Sequence, residues 1–214
     1  MKASHAAPVL LYLHGFRSSP ASVKAREVAA AVESLPAHAR PRLHVPALDF
    51  APAAAMASTV AWIESNVTRP REQLTLIGSS LGGFYATHLA ERFGARAVLI
   101  NPAIRPYDDL RSYLGPQTNL YSGETFEVTE AHFAELAALA VERITRPERY
   151  LLLVQTGDEV LDFRQAVSFY GGAFQSVEGG GDHAFQRFAS WIPAILRFAG
   201  IAPAMPPNGY QPTA

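Results

Sequence analysis

The chain has 214 residues, of which 49% are hydrophobic and 17% are charged, so it is long enough to bury the core of one globular domain. Eighteen lysines and arginines nearly balance nineteen aspartates and glutamates, and without a dense basic cluster nucleic acid is not an expected partner. The absence of cysteine excludes disulfide bonds, thiolate metal sites and a cysteine nucleophile. The first apolar run, VLLYL, has no small-residue cleavage site after it, and no window approaches about 18 uninterrupted apolar residues, so we expect a cytoplasmic protein without a membrane span.

Short apolar runs alternate with longer helical patterns along the chain. Most of these runs are nearly continuous in apolar residues, as expected of strands that are covered on both faces. Asp162 and Asp182 stand where two helices would begin, and Gly94 and Gly200 stand where two would end. The alternation predicts a three-layer α/β fold, with a sheet of about six mainly parallel strands flanked by helices. The strands are predicted at 9–14, 42–46, 74–79, 96–101, 150–156 and 173–178, and the helices near 20–35, 53–67, 82–93, 130–145, 162–170 and 184–198.

Two segments interrupt this alternation. Residues 102–129 form a long connection rich in proline, glycine and aromatic residues, and so long a loop in a compact domain is typical of a functional segment. We expect an ordered cap that starts there and extends to about residue 145. Residues 200–214 are dominated by proline and small residues, which predicts a C-terminal tail after a single domain of residues 1–199.

The stretch LIGSSLGGFYA, residues 76–86, lies where a predicted strand gives way to a predicted helix, and ligands bind at such places in open α/β sheets. A phosphate loop would need a lysine and a hydroxyl residue where this chain has Phe84 and Tyr85, and a dinucleotide motif would need glycine at Ser80. The GxSxG pattern of a nucleophile elbow is satisfied by GSSLG. Ser80 is therefore the predicted nucleophile and Ser79 a supporting neighbour, while a glycine-rich turn with incidental serines is the alternative.

A serine nucleophile needs a base, and the base needs a third group that orients it. In elbow-type sites these follow along the chain in the order serine, acid, histidine. His183, in the glycine-rich loop EGGGDHAF after the last predicted strand, is the predicted base, whereas His132 lies in the predicted cap helix. Asp158, just beyond the fifth strand, is the predicted acid, with Glu159 and Asp162 as alternatives. This chemistry needs neither a cofactor nor a metal.

An acyl-transfer site also needs donors that bind the negative charge of the tetrahedral intermediate. One predicted donor is the backbone N–H of Leu81, directly after the nucleophile, and the other is that of Phe16, in the loop after the first strand. Gly15 allows this loop to approach the nucleophile closely. His14 comes too early in the chain to be the base and is expected to brace the loop.

Five blocks of the chain, taken in order, resemble the YqiA-type bacterial esterases of the α/β-hydrolase superfamily. The blocks are LLYLHGFRSSPASVKA, LIGSSLGGFYATHLAERFG, NPAIRPYDDLRSYLG, QTGDEVLDFRQAVSFY and EGGGDHAF. The resemblance covers roughly residues 8–198 and implies an α/β-hydrolase fold and a small intracellular serine hydrolase that acts on carboxylic esters or acyl thioesters. It carries the catalytic triad over to Ser80, Asp158 and His183. An acyltransferase and a non-catalytic binding protein of the same fold are the alternatives.

The expected partner is a small-molecule acyl ester or thioester. A modest, mainly apolar pocket with Phe16 on its floor is expected to favour short to medium acyl groups. Its roof is predicted to come from the 102–129 segment, with Tyr107, Tyr113, Tyr121 and Phe126. Four basic residues are candidates for contact with an anionic acyl carrier, although solvation at the surface is the more ordinary role for such side chains: Arg17, Lys24, Arg26 and Arg105.

Overall fold

A six-stranded parallel sheet forms the centre of the molecule, for which a computed structural model describes residues 7–201. The sheet order is β2-β1-β3-β4-β7-β8, and β5 pairs with β6 in a separate antiparallel hairpin. The predicted sheet of about six mainly parallel strands is confirmed. The strands of the described region are β1 (Val9–Leu13), β2 (Arg42–His44), β3 (Leu74–Ser79), β4 (Arg96–Ile100), β5 (Gly115–Thr118), β6 (Thr125–Val128), β7 (Tyr150–Gln155) and β8 (Phe174–Glu178).

Helices cover both faces of the sheet and complete three layers. On one face α1 and α8 pack against the apolar side chains of alternate strand positions, and on the other face α2, α4, α6 and α7 do so. No helix within residues 7–201 is long and apolar enough to pass through a lipid bilayer. The helices are α1 (Val23–Ser34), α2 (Pro52–Asn66), α3 (Pro70–Gln73), α4 (Leu81–Phe93), α5 (Pro106–Asp109), α6 (Glu130–Ala138), α7 (Phe163–Phe169) and α8 (Ile192–Phe198).

The cap segment is more structured than the sequence indicates. Residues 102–129, expected as an ordered connection, contain the short helix α5 and the hairpin of β5 and β6. Helix α6 ends at Ala138, well before the predicted end near 145. At this end of α6 the Leu139 carbonyl accepts a hydrogen bond from His88 Nδ1 of α4 at 3.0 Å, a partner that lies far away in the sequence.

The last helix also begins later than predicted. Phe185 and Arg187 have φ values of 63° and 60°, a backbone conformation that interrupts a right-handed helix. Asp182 is therefore not the N-cap of α8, which starts ten residues later at Ile192. Two other predicted helix ends agree with the structure, since the Asp162 carboxylate accepts the Arg164 N–H at the start of α7 and Gly94 ends α4 with a φ of 65°.

The predicted C-terminal tail falls largely outside the described residues, which end at Ile201. Gly200 follows α8 with a φ of 74°, and Ile201 is buried against the face that α1 and α8 cover. The division into a domain of residues 1–199 and a tail stays a prediction.

Candidate active site

Ser80 occupies a strained turn between β3 and α4. Its φ and ψ are 56° and −122°, which a residue with a Cβ atom rarely adopts outside functional sites. A Cβ atom on Gly78 would lie 2.2 Å from the Gly82 carbonyl oxygen, and one on Gly82 would lie 2.0 Å from the Leu13 carbonyl oxygen. The flanking glycines of GxSxG are thus required by contact between the backbones of β1, β3 and α4. In the sheet β2 lies on one side of β1 and β3 on the other, so the direction of the strand order reverses between β1 and β3. The turn lies at this point, at the carboxyl ends of the central strands.

A Gly82→Ala substitution is expected to destabilise the fold by at least about 3 kcal/mol, because neither backbone beside the new methyl group can move away from it. Gly179→Ala is the matched control, since an added Cβ there meets nothing within 4 Å and φ is not in the left-handed region. Denaturant unfolding of both variants measures the difference. Equal stability of the two variants would contradict the tight elbow.

The predicted nucleophile, base and acid meet in one hydrogen-bonded row. His183 Nε2 lies 3.1 Å from Ser80 Oγ, and His183 Nδ1 lies 2.9 and 3.0 Å from the two carboxylate oxygens of Asp158. An ionised carboxylate only accepts hydrogen bonds, so Nδ1 carries the proton and donates it. In the neutral ring Nε2 is then free to accept the Ser80 hydroxyl proton.

Asp158 is held as a carboxylate by its surroundings. Its side chain is 2% exposed, and its Oδ1 also accepts the backbone N–H groups of Val160 and Leu161 at 2.9 Å each. Burial alone would raise the pKa of Asp158, but the hydrogen bond from His183 and those from the two amides outweigh burial and lower the pKa. The group therefore stays negatively charged near neutral pH. Of the alternative acids, Asp162 caps α7 and Glu159 accepts the His183 backbone N–H at 3.0 Å.

Two buried polar residues that the sequence analysis did not single out hold the His183 loop against the sheet. The Asn101 amide donates to the carbonyls of Asp182 and His183 at 2.9 and 3.3 Å, and its oxygen accepts the Gln155 N–H at 3.0 Å. The Gln155 side-chain oxygen accepts the N–H groups of Asp182 and Gln186, and its amide donates to the Gln186 carbonyl. A sequence signal exists, because each residue is the polar end of a strand block and follows at least four apolar residues, AVLI before Asn101 and LLLV before Gln155.

The two predicted oxyanion donors lie beside Ser80. Leu81 is the first residue of α4, and neither its N–H nor that of Phe16 donates to a protein acceptor in the described part of the chain. The loop that carries Phe16 packs closely on the elbow, since a Cβ on Gly15 would lie 3.2 Å from Ser80 Cβ. His14 Nε2 accepts the Leu48 N–H at 3.3 Å and its Nδ1 lies 3.1 Å from the Gly15 carbonyl oxygen, contacts that are in keeping with the predicted bracing role.

The cap hairpin rests on the same loop. Arg17 Nε donates to the Thr118 carbonyl, the Leu120 N–H donates to the Arg17 carbonyl, and the Asn119 amide donates to the Ser18 carbonyl, each at 2.9 Å. Arg17 has a φ of 54°, which is uncommon for a residue other than glycine. These three hydrogen bonds hold the loop after β1 in place above the elbow.

In the described part of the chain, Ser80 and His183 together line the walls of two cavities. The first, named the apolar cavity, has a volume of about 200 Å³, and the second, named the polar cavity, has a volume of about 580 Å³. The apolar cavity is lined mainly by Phe16, Leu81, Ala103, Leu110, Tyr113, Leu120, Val160 and Leu161, with Arg17 and Asp109 as its charged residues. The polar cavity combines charged and polar side chains with apolar ones. Its polar and charged side chains are those of Arg17, Ser18, Ser22, Lys24, Glu27, Ser79, Glu159 and Arg187, beside Tyr12 and Tyr121, and its main apolar side chains are those of Phe16, Val23, Leu120, Phe185 and Phe188.

The aromatic roof predicted for the acyl pocket is wrong in part. Phe16 and Tyr113 line the apolar cavity, with their rings edge to face at 5.4 Å, whereas Tyr121 lines the polar cavity. Tyr107 packs against the core, and Phe126 stacks on the ring of a residue outside the cap, Phe50, at 5.1 Å. The basic candidates also differ in position: Arg17 lines both cavities, Lys24 lines the polar cavity, Arg26 is exposed, and Arg105 pairs with Asp108 at 2.7 Å.

The remaining predicted alternatives lie away from the row of Ser80, His183 and Asp158. His132 closes a capping box with Thr129 at the start of α6, where its Nδ1 accepts the Thr129 N–H at 3.0 Å. Among residues 7–201, no three histidine, aspartate or glutamate side chains are grouped to hold a metal ion.

The architecture is shared with solved structures of low sequence identity. A protein from Agrobacterium vitis S4 superposes with a TM-score of 0.70 at 20% identity, over 90% of this chain and 88% of that one. The mouse alpha/beta hydrolase domain-containing protein 10 gives 0.65 at 15% identity, over 90% of each chain. A monoacylglycerol lipase from Paleococcus ferrophilus gives 0.64 at 15% identity, over 92% of this chain and 96% of that one. These matches confirm the predicted α/β-hydrolase fold.

A family model shows which proteins this chain is related to in sequence. The model described as "Uncharacterised protein family (UPF0227)" matches residues 9–200, which span all eight strands and all eight helices of the described region. The match confirms the predicted relationship to YqiA-type proteins. The chain therefore belongs to the UPF0227 family of α/β-hydrolase-fold proteins.

Proposed function

We propose that this protein is a serine hydrolase that cleaves small carboxylic esters, and acyl thioesters of the same acyl groups, through an acyl-enzyme on Ser80. The observation that carries the proposal is the continuous hydrogen-bonded row from Ser80 Oγ through His183 to the buried carboxylate of Asp158. A row of this kind at the top of a strained elbow is the arrangement that activates a serine hydroxyl. The presence of a monoacylglycerol lipase among proteins of the same fold is in keeping with it.

In the proposed mechanism His183 Nε2 takes the Ser80 hydroxyl proton as Oγ attacks the carbonyl carbon. Asp158 keeps the imidazole in the tautomer that can accept this proton, and its negative charge stabilises the imidazolium that forms. His183 then gives the proton to the departing alcohol or thiol. Water attacks the acyl-enzyme with the same histidine as base and releases the acid.

The backbone N–H groups of Phe16 and Leu81 are proposed to bind the oxyanion. Both are without a protein acceptor in residues 7–201, and both residues line the apolar cavity with Ser80. Donors that are fixed before the reaction stabilise developing charge without reorganising. The hydrogen bonds between the cap hairpin and the loop after β1 supply this rigidity for Phe16.

The apolar cavity is proposed to hold the acyl group. Its volume of about 200 Å³ is slightly larger than that of an engineered cavity of about 150 Å³ that takes up benzene. We therefore expect p-nitrophenyl esters with acyl chains of about four to eight carbons to give the highest kcat/KM, with a decline in longer chains. A series of p-nitrophenyl esters and matched acyl thioesters of graded length measures this, and a maximum at twelve carbons or more would contradict the assignment of the cavity.

A further inference from the structure

The polar cavity differs from the apolar cavity in size and in chemistry. It is nearly three times as large, at about 580 Å³ against about 200 Å³, and its wall includes Ser22, the N-cap of α1, and Val23, Lys24 and Glu27 of that helix. Ser80 and His183 belong to the same wall. A group bound here would therefore be adjacent to the bond that the proposed reaction breaks, on the part of the substrate that is not the acyl chain.

Two buried acceptors in this cavity have no hydrogen-bond partner in the described part of the chain. They are the hydroxyl oxygen of Ser22, a residue that is 8% exposed, and Oε2 of Glu27. Ser22 is the N-cap of α1, where a serine hydroxyl ordinarily accepts an N–H of the first helical turn, yet it makes no such bond. Buried polar atoms are nearly always paired, because leaving one unpaired costs its lost hydration. The Ser22 hydroxyl lies near the hydroxyl of Tyr12, another residue of this wall, so Oε2 of Glu27 is the more available of the two acceptors for a donor on a ligand.

A cation stands beside these acceptors. The Lys24 ammonium donates to the Ala184 carbonyl at 2.7 Å and carries two further N–H bonds. Burial lowers the pKa of Lys24, although the carboxylates of Glu27, Asp182 and Asp158 act in the opposite direction. No ion pair within 4 Å joins Lys24 to Glu27 in residues 7–201. The wall therefore presents a donor and acceptors side by side, each free to meet a ligand.

The combination of the Lys24 ammonium with the acceptors of Glu27 and Ser22 favours some leaving groups over others. A phosphate would face the Glu27 carboxylate, and an ammonium would face Lys24. An aliphatic alcohol would contact the apolar side chains of the wall but would leave Lys24, Glu27 and Ser22 unpaired. A neutral alcohol with several hydroxyl groups can donate to Glu27 and Ser22 and accept from Lys24 at the same time. The same wall also contains Arg17, Arg187 and Glu159, so charges of both signs recur in it.

We propose that the polar cavity binds the alcohol part of the substrate and that this alcohol is a neutral polyol, so that the substrate is a short-chain acyl ester of a polyol. The inference rests on the proposed esterase function. In the acylation step the bond from Ser80 Oγ to the acyl carbon forms, the bond from that carbon to the polyol oxygen breaks, and the oxygen leaves with the proton from His183 Nε2. Glu27 and Ser22 act as residues that determine specificity.

The test compares butyryl esters that differ only in the alcohol: glycerol monobutyrate, butyl butyrate and the butyryl ester of glycerol phosphate, with p-nitrophenyl butyrate as reference. We expect the wild type to have at least a tenfold higher kcat/KM for glycerol monobutyrate than for butyl butyrate. Glu27→Leu should lower the ratio of kcat/KM for glycerol monobutyrate to that for the reference ester about tenfold, as loss of one hydrogen bond to a charged group predicts. Ser22→Ala should lower the same ratio several-fold.

Glu33→Leu is the matched control, because Glu33 is an exposed glutamate of the same helix and does not line the cavity. Its ratio should equal that of the wild type. The proposal is overturned if the ratio stays constant in both Glu27→Leu and Ser22→Ala, or if the wild type prefers the phosphate-bearing ester. A protein that hydrolyses p-nitrophenyl butyrate without discriminating among the alcohols would refute the polyol alone, whereas a protein inert toward every ester would refute the esterase function.

Discussion

Replacing Ser80 with alanine is expected to lower kcat for p-nitrophenyl butyrate by about 10⁶-fold, to the level that oxyanion binding alone supports. The reason is that, in residues 7–201, the hydroxyl that hydrogen-bonds His183 Nε2 is that of Ser80. The fold should persist, since the hydroxyl has one hydrogen-bond partner in residues 7–201, His183, and alanine keeps the Cβ atom of the elbow. Initial rates and a circular dichroism spectrum of the same preparation test both statements.

The neighbouring serine provides the control for this prediction. Ser79 directly precedes Ser80, is the last residue of β3 and is buried. It is therefore a serine at almost the same place in the chain. Ser79→Ala is expected to keep kcat within a few-fold of the wild type. Full activity in Ser80→Ala, or a loss in Ser79→Ala as large as that expected for Ser80→Ala, would show that the nucleophile has been misidentified.

Replacing Asp158 with asparagine is expected to lower kcat about 10⁴-fold with little change in KM. The asparagine amide would donate to His183 Nδ1, so the imidazole would carry its proton on Nε2 and could not accept the Ser80 proton. The imidazolium would also lose the buried negative charge beside it. Steady-state kinetics of the purified variant separates kcat from KM.

Asp162→Asn is the matched control for the acid. Asp162 caps α7, and asparagine is about as good a helix cap as aspartate, so activity and stability should both stay near those of the wild type. Glu159→Gln tests the other alternative, since Glu159 accepts the backbone N–H of His183 and does not contact its ring. A larger loss of kcat in Asp162→Asn or Glu159→Gln than in Asp158→Asn would contradict the assignment.

The sheet could be predicted from sequence because its strands are buried on both faces. Such strands are nearly continuous apolar runs, and β3 and β7 show this most plainly, as LTLIGS and YLLLVQ. The hairpin of β5 and β6 could not be predicted, because GPQT and TFEV are short and largely polar and their place depends on hydrogen bonds to the loop after β1. The late start of α8 has a similar origin, since Gln155 holds the backbone of Asp182 and Gln186 away from a helix.

The candidate site was predictable to the extent that local pattern and chain order determine it. GxSxG requires two close backbone approaches, so it points to one serine, and the chain order then selects His183 and Asp158 from loops after later strands. Asn101 and Gln155 were missed because their partners are backbone groups of a loop 81 and 31 residues further along the chain. The polar cavity could not be predicted either. Its proposed role depends on the buried acceptors of Ser22 and Glu27 having no hydrogen-bond partner in the described part of the chain, and hydrogen-bond partners cannot be deduced from the sequence.

The most direct test of an activated Ser80 is reaction with a fluorophosphonate probe, which modifies a serine only when a base has made it nucleophilic. Intact-protein mass spectrometry followed by peptide mapping locates the adduct. One adduct on Ser80 is expected in the wild type and in Ser79→Ala, with none in Ser80→Ala. A folded wild-type protein that stays unmodified, or that carries its adduct on Ser79, would contradict the assignment of Ser80 as the nucleophile.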